Sequence, residues 1–124
     1  MPAARRKILV VEDEAIIAML LEQHLVQWGY DVVGVASTGQ GALDQVSALR
    51  PDLILMDISV KGDLDGIQLA EIVKAEYGIP VVFLTSHSDR KTKAQALDAD
   101  PAGYLTKPVD ETELRAVLSS VLSS

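Results

Sequence analysis

The sequence predicts an α/β fold in which a mostly parallel β-sheet is covered by helices on both faces. Short apolar runs alternate with helical patterns along the whole chain. The central run, residues 53–57, is apolar until its final Asp57, which is typical of a strand buried between two helical layers. The length of 124 residues and an apolar content of 48% fit a single domain over residues 1–124.

Composition narrows the class of protein. The formal net charge is −7 and cysteine is absent, which disfavours direct nucleic-acid binding, excludes thiolate metal sites and suits a reducing compartment. The apolar stretches are far shorter than the roughly 20 residues of a membrane span. The stretch after Arg6-Lys7 is soon broken by Glu12-Asp13-Glu14, so no signal peptide is predicted. We therefore expect a cytoplasmic domain with no membrane association.

The predicted strands are short, apolar and rich in β-branched residues. In chain order they cover residues 7–11, 31–36, 53–57, 80–84 and 102–106. Glycine, proline and aspartate cluster between these runs, as expected for the connecting turns.

Helical periodicity fills the intervals between the strands and follows the last of them. In chain order the predicted helices run from residue 15 to about 28, from about 41 to 49, from about 67 to 77, from 90 to 99, and from near 110 to 122. Asp13 has a residue type that can cap the first helix. The apolar positions expected to face the core in the first two helices are Ile17, Leu20, Leu21, Leu25, Trp28, Ala42, Leu43, Val46 and Leu49.

Strands that alternate with helices form βαβ units and a parallel sheet. Five such units at this length fit a doubly wound, three-layer (βα)5 sandwich with the flavodoxin-like strand order 2-1-3-4-5. That order places a ligand site between the first and third strands. These strands end at Glu12-Asp13 and at Asp57.

The carboxyl ends of all five strands meet at one edge of such a sheet. The side chains expected there are Glu12, Asp13, Asp57, Thr85 and Lys107. Clustered carboxylates need a cation, and hard oxygen ligands suit Mg²⁺. A carboxylate can also attack phosphorus to give an aspartyl phosphate. Phosphoryl transfer then requires mainly positioning and charge neutralisation.

From residue 7 to 122 the chain resembles the receiver domain of bacterial two-component response regulators. The motifs that carry the resemblance are Val11-Glu12-Asp13-Glu14, Leu55-Met56-Asp57 with Asp65-Gly66, Leu84-Thr85-Ser86, and Gly103-Tyr104-Leu105-Thr106-Lys107-Pro108. The specificity lies in the order of these motifs at the right strand ends, because each motif alone is weak.

The resemblance implies a metal-dependent phosphoacceptor site. Asp57 would take a phosphoryl group from a phosphohistidine on a histidine kinase or a histidine phosphotransfer protein. Mg²⁺ would be bound by Asp13, Asp57 and the backbone carbonyl of Ser59, with Glu12 helping through water. Lys107 would contact the phosphoryl group, and its peptide bond to the following proline is expected to be cis.

The resemblance also implies a conformational switch. Thr85 and Tyr104 would respond to the phosphoryl group, and the signalling surface would comprise the fourth helix, fifth strand and fifth helix. The partner there would be a downstream effector protein or domain. The ordinary alternatives stay open, since Thr85 is also a common strand-end hydroxyl and Tyr104 a common packing residue. His87 either tunes hydrolysis of the aspartyl phosphate or is a solvated loop residue.

Such a domain is not an enzyme, beyond catalysing its own phosphorylation and dephosphorylation. The main alternative is a receiver-like module that signals by contact without phosphorylation. A haloacid dehalogenase-type phosphatase would need an aspartate two residues after the nucleophile, where this chain has Ser59. A flavin-binding flavodoxin would need a phosphate loop where Glu12-Asp13-Glu14 would repel the anion.

Overall fold

The computed structural model describes residues 5–58, 64–85 and 90–122, without the side chains of 90–93. Strands and helices alternate through this part of the chain. The strands are β1 (Lys7–Val11), β2 (Asp31–Ala36), β3 (Leu53–Asp57), β4 (Val81–Thr85) and β5 (Gly103–Thr106). The helices are α1 (Ala15–Gln27), α2 (Gly39–Leu49), α3 (Gly66–Tyr77), α4 (Arg90–Asp98) and α5 (Glu111–Leu122). None of these helices has the combination of length and apolar character needed to span a membrane.

The strands form one parallel sheet in the order β2-β1-β3-β4-β5, which confirms the predicted fold class. Val11 of β1 lies opposite Met56 of β3, and Asp57 of β3 lies opposite Leu84 of β4. At the end of β4, Thr85 lies opposite Thr106 of β5. The residues that follow β1, β3, β4 and β5 are thereby brought to one edge of the sheet.

Both faces of the sheet are buried under helices. In β3, Leu53 and Leu55 pack in a core layer with α1 and α5, whereas Ile54 and Met56 pack with α2, α3 and α4. All four side chains have no solvent-exposed surface. This two-sided burial explains why the central strand is apolar along its length until the carboxylate at its end.

Several element boundaries and core positions differ from the prediction. β4 begins at Val81 because Pro80 has no N–H to donate to the sheet; the Pro80 carbonyl still accepts a bond from Ile54. Leu20 is 48% exposed and Leu49 is 37% exposed, so both were wrongly predicted to face the core. Helical periodicity fixes which residues share a face but not how wide the covered part of that face is.

The helix starts show a second correction. Asp13 does not cap α1: the N-cap residue is Glu14, without a side-chain cap, and its N–H donates to the carboxylate of Glu12 at 3.0 Å. By contrast, the Thr38 hydroxyl caps α2. Asp65 caps α3 in a reciprocal capping box with Gln68, a motif that stabilises a helix start by satisfying two backbone donors.

Two glycines allow the segment after β3 to pack closely on its neighbours. A Cβ atom at Gly39 would overlap the backbone carbonyl oxygen of Leu64. A Cβ atom at Gly66 would lie 3.1 Å from both the Cα and the carbonyl oxygen of Ile58, and 3.3 Å from the carbonyl oxygen of Asp57. The starts of α2 and α3 therefore lie directly against the backbone that follows the central strand.

We expect Gly39→Ala to lower the free energy of unfolding by about 1–3 kcal/mol, because the added methyl group meets a backbone carbonyl that cannot rotate away. Gly41→Ala is the matched control two residues along the same helix, where the nearest atom is the Thr38 hydroxyl oxygen at 3.1 Å. Alanine favours helix by up to about 1 kcal/mol, so the control should be close to neutral. Urea denaturation measures both, and equal stability of the two variants would contradict the close packing.

Candidate functional site

The carboxylates of Glu12 and Asp57 are buried together at the edge of the sheet. Glu12 directly follows β1 and Asp57 ends β3; these neighbouring parallel strands bring the two side chains together. Glu12 is 2% exposed and Asp57 is 3% exposed. Buried carboxylates are costly unless a cation or hydrogen-bond donors compensate them, so this pair marks a site built to hold positive charge.

Asp13 completes a group of three carboxylates. One oxygen from each of Glu12, Asp13 and Asp57 lies within 4.8 Å of the other two. Asp13 is exposed and the other two are buried, so the group opens to solvent on one side. Hard oxygen ligands on an open site fit Mg²⁺, which uses one or two carboxylates and keeps several water ligands. The donor chemistry of this group therefore suits the predicted metal.

The cation within the described site is the ammonium group of Lys107. Its Nζ atom lies 2.8 Å from Oδ2 of Asp57 and 3.0 Å from Oε1 of Glu12. The backbone N–H of Lys107 donates to the carbonyl of Thr85 at 2.6 Å, which continues the pairing of β5 with β4. The peptide bond between Lys107 and Pro108 is cis, as the family resemblance predicted.

Burial and pairing have opposite effects on the ionisation of these groups. Burial raises the pKa of Glu12 to about 7, although the Glu14 N–H and the Lys107 ammonium both lower it. Burial also lowers the pKa of Lys107, but its hydrogen bonds to Asp57 and Glu12 outweigh this effect, so the net pKa is raised. Lys107 therefore stays charged, and near neutral pH Glu12 gains or loses a proton easily.

Thr85 and Tyr104 lie on the neighbouring strands β4 and β5, Thr85 at the end of its strand and Tyr104 opposite Phe83. Thr85 is 2% exposed, and its hydroxyl oxygen has no hydrogen-bond partner among the residues that the structure describes. A buried hydroxyl usually has a hydrogen-bond partner, so the Thr85 hydroxyl is able to donate a hydrogen bond to a group that binds at this edge of the sheet. Tyr104 is half-buried and packs against the core layer that contains Phe83 and Ala96.

The structure thus brings together Glu12, Asp13, Asp57 and Lys107, with Thr85 on the adjoining strand. Ser59 and His87 lie outside the described residues. Sequence reasoning missed the structural role of Glu12, which accepts from a backbone N–H and from Lys107 in addition to joining the carboxylate group. The position of Glu12 directly after β1 predicts that its side chain lies at the carboxyl edge of the sheet. No spacing in the sequence predicts which groups donate hydrogen bonds to it.

Comparisons with known proteins agree with this geometry. A family model described as response regulator receiver domain matches residues 8–119. The transcriptional regulatory protein PdtaR of Mycobacterium tuberculosis is 36% identical over 121 residues, which cover 98% of this chain and 58% of that protein. The DNA-binding response regulator MtrA of Mycobacterium bovis is 36% identical over 116 residues, covering 94% of this chain and 50% of that protein. The chain therefore spans little more than half the length of these relatives.

A solved structure gives the same result for the fold. The signal receiver domain of a modulated diguanylate cyclase from Desulfovibrio desulfuricans G20 has a TM-score of 0.90 and 36% sequence identity, with 97% of this chain and 95% of that chain covered. The similarity therefore extends over the whole domain rather than over the sheet alone.

We expect Asp13→Asn to weaken Mg²⁺ binding by at least about tenfold, because it removes one charged oxygen from the group of three carboxylates. Glu14→Gln is the matched control: it removes the same charge from the neighbouring exposed residue, which is not part of the group of three. Calorimetric titration with MgCl₂ measures both affinities. An equal loss in the two variants would show that only overall charge matters.

The raised pKa of Glu12 predicts a pH dependence of stability in metal-free buffer. The folded state keeps the Glu12 proton up to about pH 7, whereas the unfolded carboxyl loses it near pH 4.5. The stabilisation of the folded state by this proton is therefore complete below pH 4.5 and is lost as the pH rises to 7. We expect a decrease of about 1–3 kcal/mol in the free energy of unfolding across this window. Glu12→Gln should flatten the profile, as measured by urea denaturation at several pH values; an unchanged profile would show that other groups cause it.

Proposed function

The chain belongs to the response regulator receiver domain family, and from this membership we propose that Asp57 accepts a phosphoryl group in a Mg²⁺-dependent phosphorelay. The observation that carries the proposal is the convergence of a buried Asp57 with two further carboxylates and the Lys107 ammonium group. Asp57 therefore has the Lys107 ammonium group on one side. Together with the oxygens of Glu12 and Asp13 it offers a set of ligands that suits a metal ion.

The proposed reaction is an in-line displacement at phosphorus. A carboxylate oxygen of Asp57 forms the new O–P bond as the N–P bond of the donor phosphohistidine breaks. The imidazole leaves in its neutral form because its other ring nitrogen has taken a proton from water. The barrier depends mainly on alignment and on neutralising the phosphoryl oxygens. Asp57 is suited to this step because the end of a fully buried strand fixes its position.

Lys107 and the metal ion that the carboxylates would hold neutralise the negative charge of the phosphoryl oxygens in this proposal. The Lys107 ammonium, already 2.8 Å from the unphosphorylated Asp57 carboxylate, would move to an oxygen of the phosphoryl group. Bound Mg²⁺ would supply the further positive charge. It would be held by Asp13 and Asp57, with the Ser59 carbonyl and a water on Glu12 as further ligands. Glu12 would keep Lys107 in place throughout, because it pairs with the same ammonium at 3.0 Å.

The switch would follow from the hydroxyl of Thr85. Its lack of a partner in the described part of the structure supports a role as a donor to the phosphoryl group, and movement of Thr85 would leave room for Tyr104 on the adjacent strand. The outcome would be a changed surface on α4, β5 and α5. The partners would be a histidine kinase or phosphotransfer protein on one side and an effector on the other, in the cytoplasm.

The alternative of signalling by contact alone has weaker support. A receiver that is never phosphorylated has no need of the acceptor or of the acidic group, and here both are present. Membership in the family also removes the reason to consider a phosphatase or a flavin protein. As a receiver, the domain would catalyse no reaction other than its own phosphorylation and dephosphorylation.

The test is phosphorylation by a small-molecule donor. With acetyl phosphate and MgCl₂, intact-mass spectrometry should show one added phosphoryl group, which is absent in Asp57→Asn and after chelation of the metal. Asp44→Asn, an exposed aspartate on α2, is the control and should be labelled like the wild type. Full labelling of Asp57→Asn would disprove the assignment. No labelling of the folded, metal-bound wild type would favour signalling by contact.

A further inference from the structure

A cavity separate from the carboxylate group lies between α1 and α5. Its volume is about 510 Å³, within the range of pockets that hold small organic ligands. Its walls are mostly apolar and include Ile17 and Leu21 of α1, Val109, and Leu114 of α5. Leu20, which is 48% exposed, lies at its rim, so the cavity is open to solvent.

The polar groups of the cavity are few. Nδ1 of His24 lies 3.0 Å from a carboxylate oxygen of Glu111 across the seam between α1 and α5. The Glu111 side chain is 59% exposed, which leaves carboxylate surface open to a ligand. Lys107 also contributes to the wall, but its ammonium group is paired with Asp57 and Glu12.

We infer that this cavity binds a small organic cation that has an aromatic or branched apolar body and one ammonium group. The body lies between α1 and α5 against Leu21 and Leu114, and the ammonium group contacts the carboxylate of Glu111. This binding site is distinct from the phosphoacceptor site and does not depend on phosphorylation of Asp57.

Charge selects a cation over an anion. Among the described Lys, Arg, Asp and Glu side chains, Lys107 and Glu111 line the cavity. Lys107 is paired with Asp57 and Glu12, so Glu111 supplies the charge that is open to a ligand, and the whole chain has a net charge of −7. An anionic ligand would meet this field without an unpaired cationic side chain among the described residues that line the cavity. A cationic ligand gains from the field and keeps its apolar body out of water.

The same features favour a small ligand over a second copy of the chain. Two copies facing each other through α1 would each bring a net charge of −7. A stable interface also needs roughly 800 Å² from each partner, and α1 is only about 20 Å long. Its exposed apolar side chains are Ile16, Met19, Leu20 and Val26, which form a stripe one helix wide, and such a stripe on a helix of this length covers far less than that area.

Tryptamine is a suitable probe because it combines an indole with one ammonium group; indole-3-acetate has the same apolar body and the opposite charge. Titrations into ¹⁵N-labelled protein, followed by amide chemical shifts, should show saturable tryptamine binding with a dissociation constant of about 1–5 mM. The shifts should concentrate at Leu21, Val109 and Leu114. Indole-3-acetate should bind at least about fivefold more weakly.

Three variants separate the cavity from general effects of charge. Glu111→Gln should weaken tryptamine binding about two- to fivefold, whereas Glu113→Gln, an exposed glutamate on the same helix that does not line the cavity, should leave it unchanged. Val109→Phe should remove binding by filling the space. If Val109→Phe does not fold, Glu111→Gln and its control still decide the question.

Three results would overturn the inference. One is no saturable binding of tryptamine up to 20 mM, a concentration on the order of four times the weakest dissociation constant expected. The others are equal affinities for tryptamine and indole-3-acetate, or equal effects of Glu111→Gln and Glu113→Gln on tryptamine binding. A fourth is a concentration-dependent dimer in sedimentation that is covered at α1 and excludes the probe, because the occupant would then be a second copy. None of these results bears on Asp57 labelling, so failure here leaves the phosphoacceptor proposal intact.

Discussion

The pairing of one lysine with two buried carboxylates is the interaction on which the rest of the site depends. Lys107 is 50 positions from Asp57 and 95 positions from Glu12 in the chain, yet its ammonium group lies within 3.0 Å of both. Without this cation, two carboxylates would be buried side by side, which costs several kcal/mol per charge. The parallel sheet makes the pairing achievable because β1, β3 and β5 all end at the same edge.

Local patterns were sufficient to predict the architecture. The bounds of β1, β2 and β3 agree with the apolar runs in the sequence. β1 after Lys7 and the whole of β3 are buried, and a strand buried on both faces contains few polar residues. β2, at the edge of the sheet, is only partly buried. The alternation of strands and helices at this length predicted the flavodoxin-like strand order, and that order in turn placed a site between the first and third strands. The same reasoning placed Glu12, Asp13, Asp57, Thr85 and Lys107 at one edge, since that depends on strand ends and not on side-chain direction.

Features that depend on tertiary contacts could not be predicted in this way. Asp13 has the residue type of a helix cap, but the Glu12 carboxylate instead accepts from the N–H of the N-cap residue Glu14. Only the folded site determines which carboxylate is near enough. Leu20 belongs to the apolar pattern of α1, yet it lies at the rim of a cavity because α5 covers only part of that helix. The unpaired hydroxyl of Thr85 likewise has no signature in a single sequence.

Lys107 connects the two halves of the molecule's chemistry. Its ammonium group is paired with the carboxylate of Asp57. The same residue also lines the cavity between α1 and α5. A ligand in the cavity that displaces this side chain must change the charge balance at Asp57, and by linkage a metal ion at the carboxylates must change the affinity of the cavity by the same factor. The sign follows from electrostatics: metal charge near Asp57 reduces the negative potential that attracts a cation, so the two ligands should oppose each other. High salt should weaken this opposition, because Glu111, which contacts the ammonium group of the ligand, is 59% exposed.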